Sequence, residues 1–418
     1  MTPDPITDIV ARRLCNGCGV CAGAFPGSIR MVEDREEGRR PVVGPGPEGR
    51  QAARAAVALC AGAQADYRDL PRRDRVDEDW GPVLAVWEGW AADPEIRHRG
   101  SSGGGVTALM LFALDSGAVR GVSHVAADPS DPRRNVGVVS RDRAGLLRGA
   151  GSRYAQASPG ETLADIRAAS GSVAFVGKPC DVASVQRARR AEPDLAAKIP
   201  LTVAIFCAGA PTRAATDRLL ARLEVPEEAS LTDLRYRGQG WPGLMQARWR
   251  DETGAERESR AIPYAEAWGE ILQAGRLWRC RICADHTGAF ADISVGDPWH
   301  NPPEGETAPG RSLIVARSAR GRHLIEAAIA AGVLKAEPRG RDVIDRAQPN
   351  LRATQGAVWG RRLAMRLAGM RVPHEPGLAL FRHWLGLSAK ARAQSVAGTV
   401  KRMFRLRLWR RVRIEASE

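Results

Sequence analysis

The stretch SVAFVGKPCDVASVQRARRA, residues 172–191, changes periodicity in its middle, and the change decides the fold class. Val173 to Val176 form a short unbroken apolar run, the pattern of a strand buried on both faces. Gly177, Lys178 and Pro179 interrupt it. From Val182 the apolar residues recur at helical spacing, with Asp181 expected as the N-cap.

The same alternation recurs on either side. VLAVWEGWAA (83–92), GVSHVAAD (121–128), LTVAIFCAG (201–209), DISVGD (292–297) and SLIVARS (312–318) read as strands. SSGGGVTALMLFAL (101–114), PTRAATDRLLARL (211–223) and GRHLIEAAIAAGVL (321–334) read as helices or loops running into helices. Strands alternating with helices predict an α/β (α+β) core with a largely parallel sheet. Before it, SIRMV (28–32) is expected as one short strand, residues 33–50 as a polar turn region, QAARAAVALCAGA (51–63) as a short helix and residues 66–82 as a charged linker.

With 418 residues, 44% hydrophobic and 26% charged, the chain has enough apolar content for more than one domain. It contains no apolar run long enough to span a bilayer. Its first residues lack the apolar segment of a secretory signal, so a cytoplasmic location is expected. The basicity is local. Residues 361–418 hold 14 Lys and Arg against 3 acids, a net +11 out of +14 for the whole chain.

There are eight cysteines: 15, 18, 21, 60, 180, 207, 280 and 283. In a reducing cytoplasm they point to metal rather than to disulfides. Cys15, Cys18 and Cys21 have the spacing that wraps an iron–sulfur cluster in ferredoxins, where a fourth cysteine precedes a proline. Here Phe25 occupies that place, before Pro26. Cys280 and Cys283 form a second motif. Cys180 and Cys207 end predicted parallel strands, whose carboxyl ends share the edge where ligands bind. Those four are expected to form one thiolate set; the alternative is a structural zinc site. By subtraction Cys60 is left to complete the first set, the alternative being a three-iron or labile site with Phe25 shielding an open corner.

Two further stretches are candidate ligand contacts. Ser102, Gly103, Gly104 and Gly105 precede a helix, where small residues and free N–H groups suit a phosphate, although a flexible loop explains them equally. GAGSRYAQASPG contributes Ser152, Arg153 and Tyr154, and Lys178 places a cation at a strand end. In the tail, VKRMFRLRLWRRVRI (400–414) interleaves cations with apolar residues. Phe404, Leu408 and Val412 would share one helical face, suiting either an anionic membrane surface or an acidic ferredoxin.

LCNGCGVC, SSGGGVTAL, GSRYAQAS, FVGKPCDVASVQ, IFCAG, YRGQGWPG and RCRICADHTGAFADISVGDPW occur in the order found in the coenzyme F420 hydrogenase/dehydrogenase beta subunits. The chain resembles that family over residues 10–335. It is similar to the longer members, which include the 7-hydroxymethyl chlorophyll a reductase-type enzymes, in having an N-terminal ferredoxin-like 4Fe-4S segment. The resemblance implies a flavin/iron–sulfur oxidoreductase with two 4Fe-4S clusters and FAD. It implies phosphate contacts over Ser102 to Thr107, and flavin surroundings at Ser152 to Tyr154 and Lys178. It implies a ferredoxin-like electron donor and a small-molecule substrate, with coenzyme F420, a tetrapyrrole or a polysaccharide-pathway intermediate all open. The expected units are 1–70, 82–165, 166–345 and a basic helical tail, 346–418. An electron-transfer subunit without its own substrate site is an alternative. A zinc-stabilised nucleic-acid binder is disfavoured, because the basic residues lie outside the cysteine-bearing units and nucleic acid is not an expected partner.

Overall fold

The centre of the molecule is a mixed eight-stranded sheet. In a computed structural model that describes residues 4–305 and 307–414, the strand order is Leu334–Arg339, Ala85–Ala91, Ser312–Ala316, Ile293–Gly296, Thr202–Ile205, Val173–Gly177, Gly121–Asp128, Asp131–Ser140. The four neighbours from Ile293–Gly296 to Gly121–Asp128 are parallel. The remaining pairings, at both margins, are antiparallel. The fold class is the expected α/β arrangement. Val173–Gly177, in the middle of the parallel strands, is an unbroken apolar run because both its faces are covered. Leu109, Met110, Val203, Ile293, Ile314 and Ile325 pack on one side; Leu163, Ile166, Phe175, Val182, Val185 and Ile199 pack on the other.

Several local expectations are corrected. Residues 33–50 are not one turn: Gly38–Val43 forms a hairpin with Ile29–Asp34, and a helix runs from Gly46 to Val57. The charged stretch 66–82 contains the helix Arg75–Trp80, capped by Asp74. Asp181 is not the N-cap of its helix. That helix starts at Pro179, Lys178 is the N-cap, and the Asp181 carboxylate accepts from the Lys178 backbone N–H at 2.9 Å. Cys180 therefore lies in the first helical turn and Cys207 two residues past its strand, so neither ends a strand, although both stand at the carboxyl edge.

A smaller sheet of Ser230–Arg235, Leu244–Arg250, Glu256–Glu258 and Ile262–Pro263 sits against the helix Arg213–Arg222, sharing a core of Leu219, Leu223, Leu234, Tyr236 and Met245. The tail forms helices Pro349–Leu367, Leu380–Leu385 and Ala389–Arg405. It folds back on the N-terminal segment: Met365, Met403 and Leu408 share a core with Ile6, Ile9 and Val10. Val412 N–H donates to the Ala11 carbonyl at 3.0 Å. The last helix stops at Arg405, which overturns the expected common face. Phe404 is 67% exposed while Leu408 is 5% exposed. Among the described residues, no helix is long and apolar enough to cross a membrane.

Candidate functional site

The first cysteine set is assembled by a turn that needs glycine. Gly17 and Gly19 adopt φ of +74° and +78°, and Gly19 caps the helix Val20–Ala24. Cys15, Cys18, Cys21 and Cys60 line one cavity, closed by apolar side chains that include Ile6, Val10, Met31 and Leu59. Cys60 lies against the motif. A Cβ placed on Gly62 would stand 2.7 Å from the Leu14 carbonyl and 3.4 Å from both the Asn16 nitrogen and Cys60 Sγ. Phe25 packs between the core beneath this cavity and that of the large sheet. Burial, then the charge of Asp181, pushes the Cys18 thiol up to about 12. Burial, then Cys15, pushes Cys60 up to about 11. Burial, then Cys18, raises Cys21 further.

The second set gathers at the carboxyl edge of the sheet. Cys207 N–H donates to the His286 carbonyl at 2.9 Å, and His286 Nδ1 lies 2.8 Å from the Cys207 carbonyl. Cys280 Sγ accepts from the Ala210 N–H at 3.4 Å. Burial is the main cause raising all three of Cys180, Cys207 and Cys283, the last two to about 12. Neighbouring thiols act in the same direction: Cys280 on both Cys207 and Cys283, and Cys207 on Cys180. Lys178 is in place beside them, its Nζ 2.7 Å from Asp181 Oδ2. Burial opposes the ammonium charge, but Asp181 and Cys180 hold its pKa above the ordinary lysine range.

The two sets adjoin. Arg279, before Cys280, donates from Nε to the Gly62 carbonyl, two residues after Cys60, at 2.9 Å. Ser184, four residues after Cys180, accepts from the Ala61 N–H at 3.2 Å. Trp278 and Ile282, which flank Cys280, share a core with Cys15 and Ala56. Among the described residues, no group of three or more His, Cys, Asp or Glu side chains is gathered tightly enough for one metal ion. All eight cysteines are free thiols. Thiols buried or half-buried together ionise only beside a strong positive centre, so two sets of four fit metal or iron–sulfur centres.

The glycine stretch is a tight turn at the start of the helix Gly105–Asp115, with Gly103 and Gly104 at φ of +69° and +72°. Ser102 Oγ donates to the Gly296 carbonyl at 3.0 Å, and Gly105 N–H donates to Ser312 Oγ at 3.2 Å. Thr107 is half-buried in the first turn. Ser152 N–H donates to Ser101 Oγ, which brings the two candidate stretches together. Arg153 faces inward: Nε donates to Asn135 Oδ1 at 2.7 Å and one terminal nitrogen to the Leu234 carbonyl at 3.0 Å. Tyr154 stands in an aromatic nest with Trp268 (4.8 Å), Tyr236 and Tyr264.

Sequence reasoning missed the pair at the centre of this region. Arg237 is buried and bonds both oxygens of Asp297, at 2.9 and 2.8 Å. It also donates to the Ser101 carbonyl at 2.7 Å and to the Tyr154 hydroxyl at 3.4 Å. Its guanidinium lies 5.0 Å from the Tyr264 ring and 5.7 Å from the Trp299 ring. Arg97 and Arg311 both face the Trp90 ring, and the Arg311 backbone lies beside Gly103. The signal for Arg237 and Asp297 lay inside YRGQGWPG and SVGDPW, where polar residues stand among glycine, proline and tryptophan.

Two family models match this chain, both of the coenzyme F420 hydrogenase/dehydrogenase beta subunit: the model of its N-terminal part over residues 86–165, and the model of its C-terminal part over residues 170–341. The second set of cysteines and the glycine turn fall within them; Cys15, Cys18, Cys21 and Cys60 do not. The coenzyme F420 hydrogenase subunit beta of Methanococcus voltae is 26% identical over 271 residues, covering 63% of this chain and 86% of its own. That of Methanosarcina barkeri is 25% identical over 258 residues, covering 59% and 79%. A chain of the F420-reducing NiFe hydrogenase complex from Methanosarcina barkeri is similar in fold, with a TM-score of 0.50 at 19% identity, covering 83% of this chain and 100% of that one.

Proposed function

This chain belongs to the coenzyme F420 hydrogenase/dehydrogenase beta-subunit family, and from that membership we propose that it is an iron–sulfur flavoprotein oxidoreductase. An oxidoreductase role in electron transfer follows from the family itself. Beyond that, Cys15, Cys18, Cys21 and Cys60 would hold one 4Fe-4S cluster, and Cys180, Cys207, Cys280 and Cys283 a second. FAD would lie along the glycine turn and the Tyr154 nest, with Ser102 to Gly105 and Thr107 at its phosphates and Ser152, Arg153, Tyr154 and Lys178 around it. When bound, these groups supply one-electron carriage and hydride exchange respectively. The units proposed are 1–70, 82–165, 166–345 and 346–418.

One observation carries the reading. Two sets of four cysteines, buried or half-buried and contributed by distant parts of the chain, lie side by side and are tied by Arg279–Gly62 and Ser184–Ala61. Two adjoining sets suit a protein that moves electrons between centres, and Cys15, Cys18 and Cys21 at successive two-residue gaps suit a four-iron cluster better than a zinc ion. The protein's own part is to exclude water from both, to place Lys178 and Arg279 as fixed cations beside the thiolates, and to pin Tyr154 through Arg237. The donor is proposed as a ferredoxin-like protein and the hydride partner as a small molecule, coenzyme F420 being the first to test; a polysaccharide-pathway intermediate is the second.

The test is chemical analysis of anaerobically purified chain. About eight irons, eight sulfides and one FAD per chain are expected. F420 consumption under a reducing donor, followed by its visible absorbance, then tests the substrate. Stoichiometric zinc, or clusters without flavin, would overturn the flavoprotein reading.

A further inference from the structure

Five arginines converge beside the second cysteine set. Arg276 precedes the helix Trp278–Arg281, Arg281 ends it, Arg361 lies on the helix Pro349–Leu367, and Arg402 and Arg405 lie on the helix Ala389–Arg405. Arg276 Nε and an Arg281 terminal nitrogen both donate to the Gln273 carbonyl, at 3.1 and 3.4 Å. A terminal nitrogen of Arg361 donates to the Arg281 carbonyl at 2.6 Å, while Arg361 Nε is buried without a partner. Arg402 donates to Thr399 Oγ1 at 3.4 Å. Among the described residues, no carboxylate forms an ion pair with any of the five. Burial, then the charges of Arg402, Arg276 and Arg281, brings Arg361 down to about 10.

The position is as telling as the charge. A Cβ placed on Gly209 would stand 2.5 Å from Arg276 Cδ and 3.1 Å from Cys280 Cβ, so the Arg276 stem and a cysteine of the second set both pack on Gly209. Exposed Lys401, on the last helix, and exposed Arg407, just past its end, extend the cationic surface, with Phe404 67% exposed between them. A cationic rim around an exposed aromatic is the composition of a protein-docking surface. Four of the five arginines are half-buried and Arg405 alone is exposed, which suits carboxylates projecting from a protein better than the flat plane of a bilayer.

We infer that this arginine cluster is the docking surface for a small acidic one-electron carrier protein. The inference rests on the cluster reading of Cys180, Cys207, Cys280 and Cys283. One electron would leave the reduced carrier, which becomes oxidised, and enter the centre those cysteines hold, with no bond made or broken. Docking here places the donor against the nearest face of that centre and replaces arginine–arginine repulsion by arginine–carboxylate attraction.

The experiment uses full-length, iron-loaded protein and an acidic two-cluster bacterial ferredoxin as probe. Stopped-flow reduction should slow about tenfold between low and physiological salt. The double variant Arg402→Glu/Arg405→Glu should lose about tenfold at low salt, and Arg402→Lys/Arg405→Lys should stay within about twofold of wild type. Iron content and the dithionite-reduced spectrum should be unchanged in both. Calorimetric titration of the ferredoxin reads docking apart from electron transfer: absence of iron in the wild type would sink the cluster reading while this titration still judged the surface. Equal rates and affinities for wild type and the Glu variant overturn the inference. So does a Glu variant that loses sedimentation with phosphatidylglycerol vesicles, or inorganic pyrophosphate binding, while its reduction by ferredoxin is intact.

Discussion

Arg279 joins the two cysteine sets through a single hydrogen bond, from its Nε to the carbonyl of Gly62 at 2.9 Å. The same guanidinium pairs with Glu375 at 2.6 Å, and Glu375 pairs in turn with Arg362; all three side chains are buried. Burial opposes the Arg279 charge, but Glu375 and Cys283 hold its pKa above the ordinary arginine range. The bond therefore ties Cys60, Cys280 and the tail into one charged network.

Arg279→Ala should accordingly disturb both proposed iron sites. It leaves Glu375 with one partner and the Gly62 carbonyl with none, at an expected cost of roughly 3–5 kcal/mol. Electron paramagnetic resonance of the reduced protein should show both signals broadened or lost, with a lower melting temperature. A change confined to one signal would mean that the bond positions one set alone.

The partition of cysteines has its own test. Cys280→Ser should remove roughly half the iron and leave the signal of the first set, since on the proposed reading each four-iron cluster would draw on its own four thiolates. Cys60→Ala should damage the same signal as Cys18→Ala, and Phe25→Cys should restore it in the Cys60 variant. An unchanged spectrum in Cys60→Ala would favour a three-ligand site shielded by Phe25.

Much of the architecture was legible because burial leaves a pattern. Val173–Gly177 and Ser312–Ala316 are covered on both faces and read as apolar runs. Leu334–Arg339 and Asp131–Ser140 were missed because they are edge strands. Their exposed and half-buried positions carry Lys, Glu and Arg, and each contains a proline that a central strand would exclude. The cysteines were legible from spacing, and Cys60 from number alone. Arg237 and Asp297 were not, because a buried ion pair has no periodicity; its members stand 60 residues apart and meet through the fold. The common face expected for Phe404 and Leu408 failed because the helix ends between them.

Acid should release the tail before it unfolds the core. Asp79 is buried and receives His383 Nε2 at 2.6 Å and Arg352 at 2.7 Å, with Arg382 on the same oxygen as His383. Burial alone would raise its pKa, but these partners hold it well below the usual carboxylate range. A depressed carboxylate contributes stability above its unfolded pKa, about 3.9, and loses it as pH falls through the lower folded value. Limited proteolysis near Leu380–Leu385 should therefore increase below about pH 4 in the wild type. Asp79→Ala should show that cleavage already at neutral pH, at a cost of roughly 2–4 kcal/mol. Equal cleavage of wild type and variant at neutral pH would show that the apolar contacts hold the tail alone.

Gly104 is the position at which the flavin assignment is most exposed to failure. It has φ of +72° and caps the helix Gly105–Asp115. A Cβ there would stand 2.6 Å from the Ile96 carbonyl oxygen, which is main chain and cannot swing aside. Gly104→Leu must therefore shift the turn, at a cost of roughly 1–3 kcal/mol from the left-handed backbone and the contact together. Gly117 supplies the control: its φ is +73°, but nothing lies within 4 Å of an added Cβ. Gly117→Leu bears the backbone strain without the collision, away from the turn. If Ser102 to Gly105 cradle the FAD phosphates, Gly104→Leu should release FAD to less than about a tenth of wild type by extraction and chromatography, since close backbone approach is lost. Iron should stay at about eight per chain in both variants, because neither cysteine set contacts the turn's amide groups. Full FAD in Gly104→Leu would show the turn to be a connector and move the phosphate site to Arg97 and Arg311, whose guanidinium groups both face the Trp90 ring.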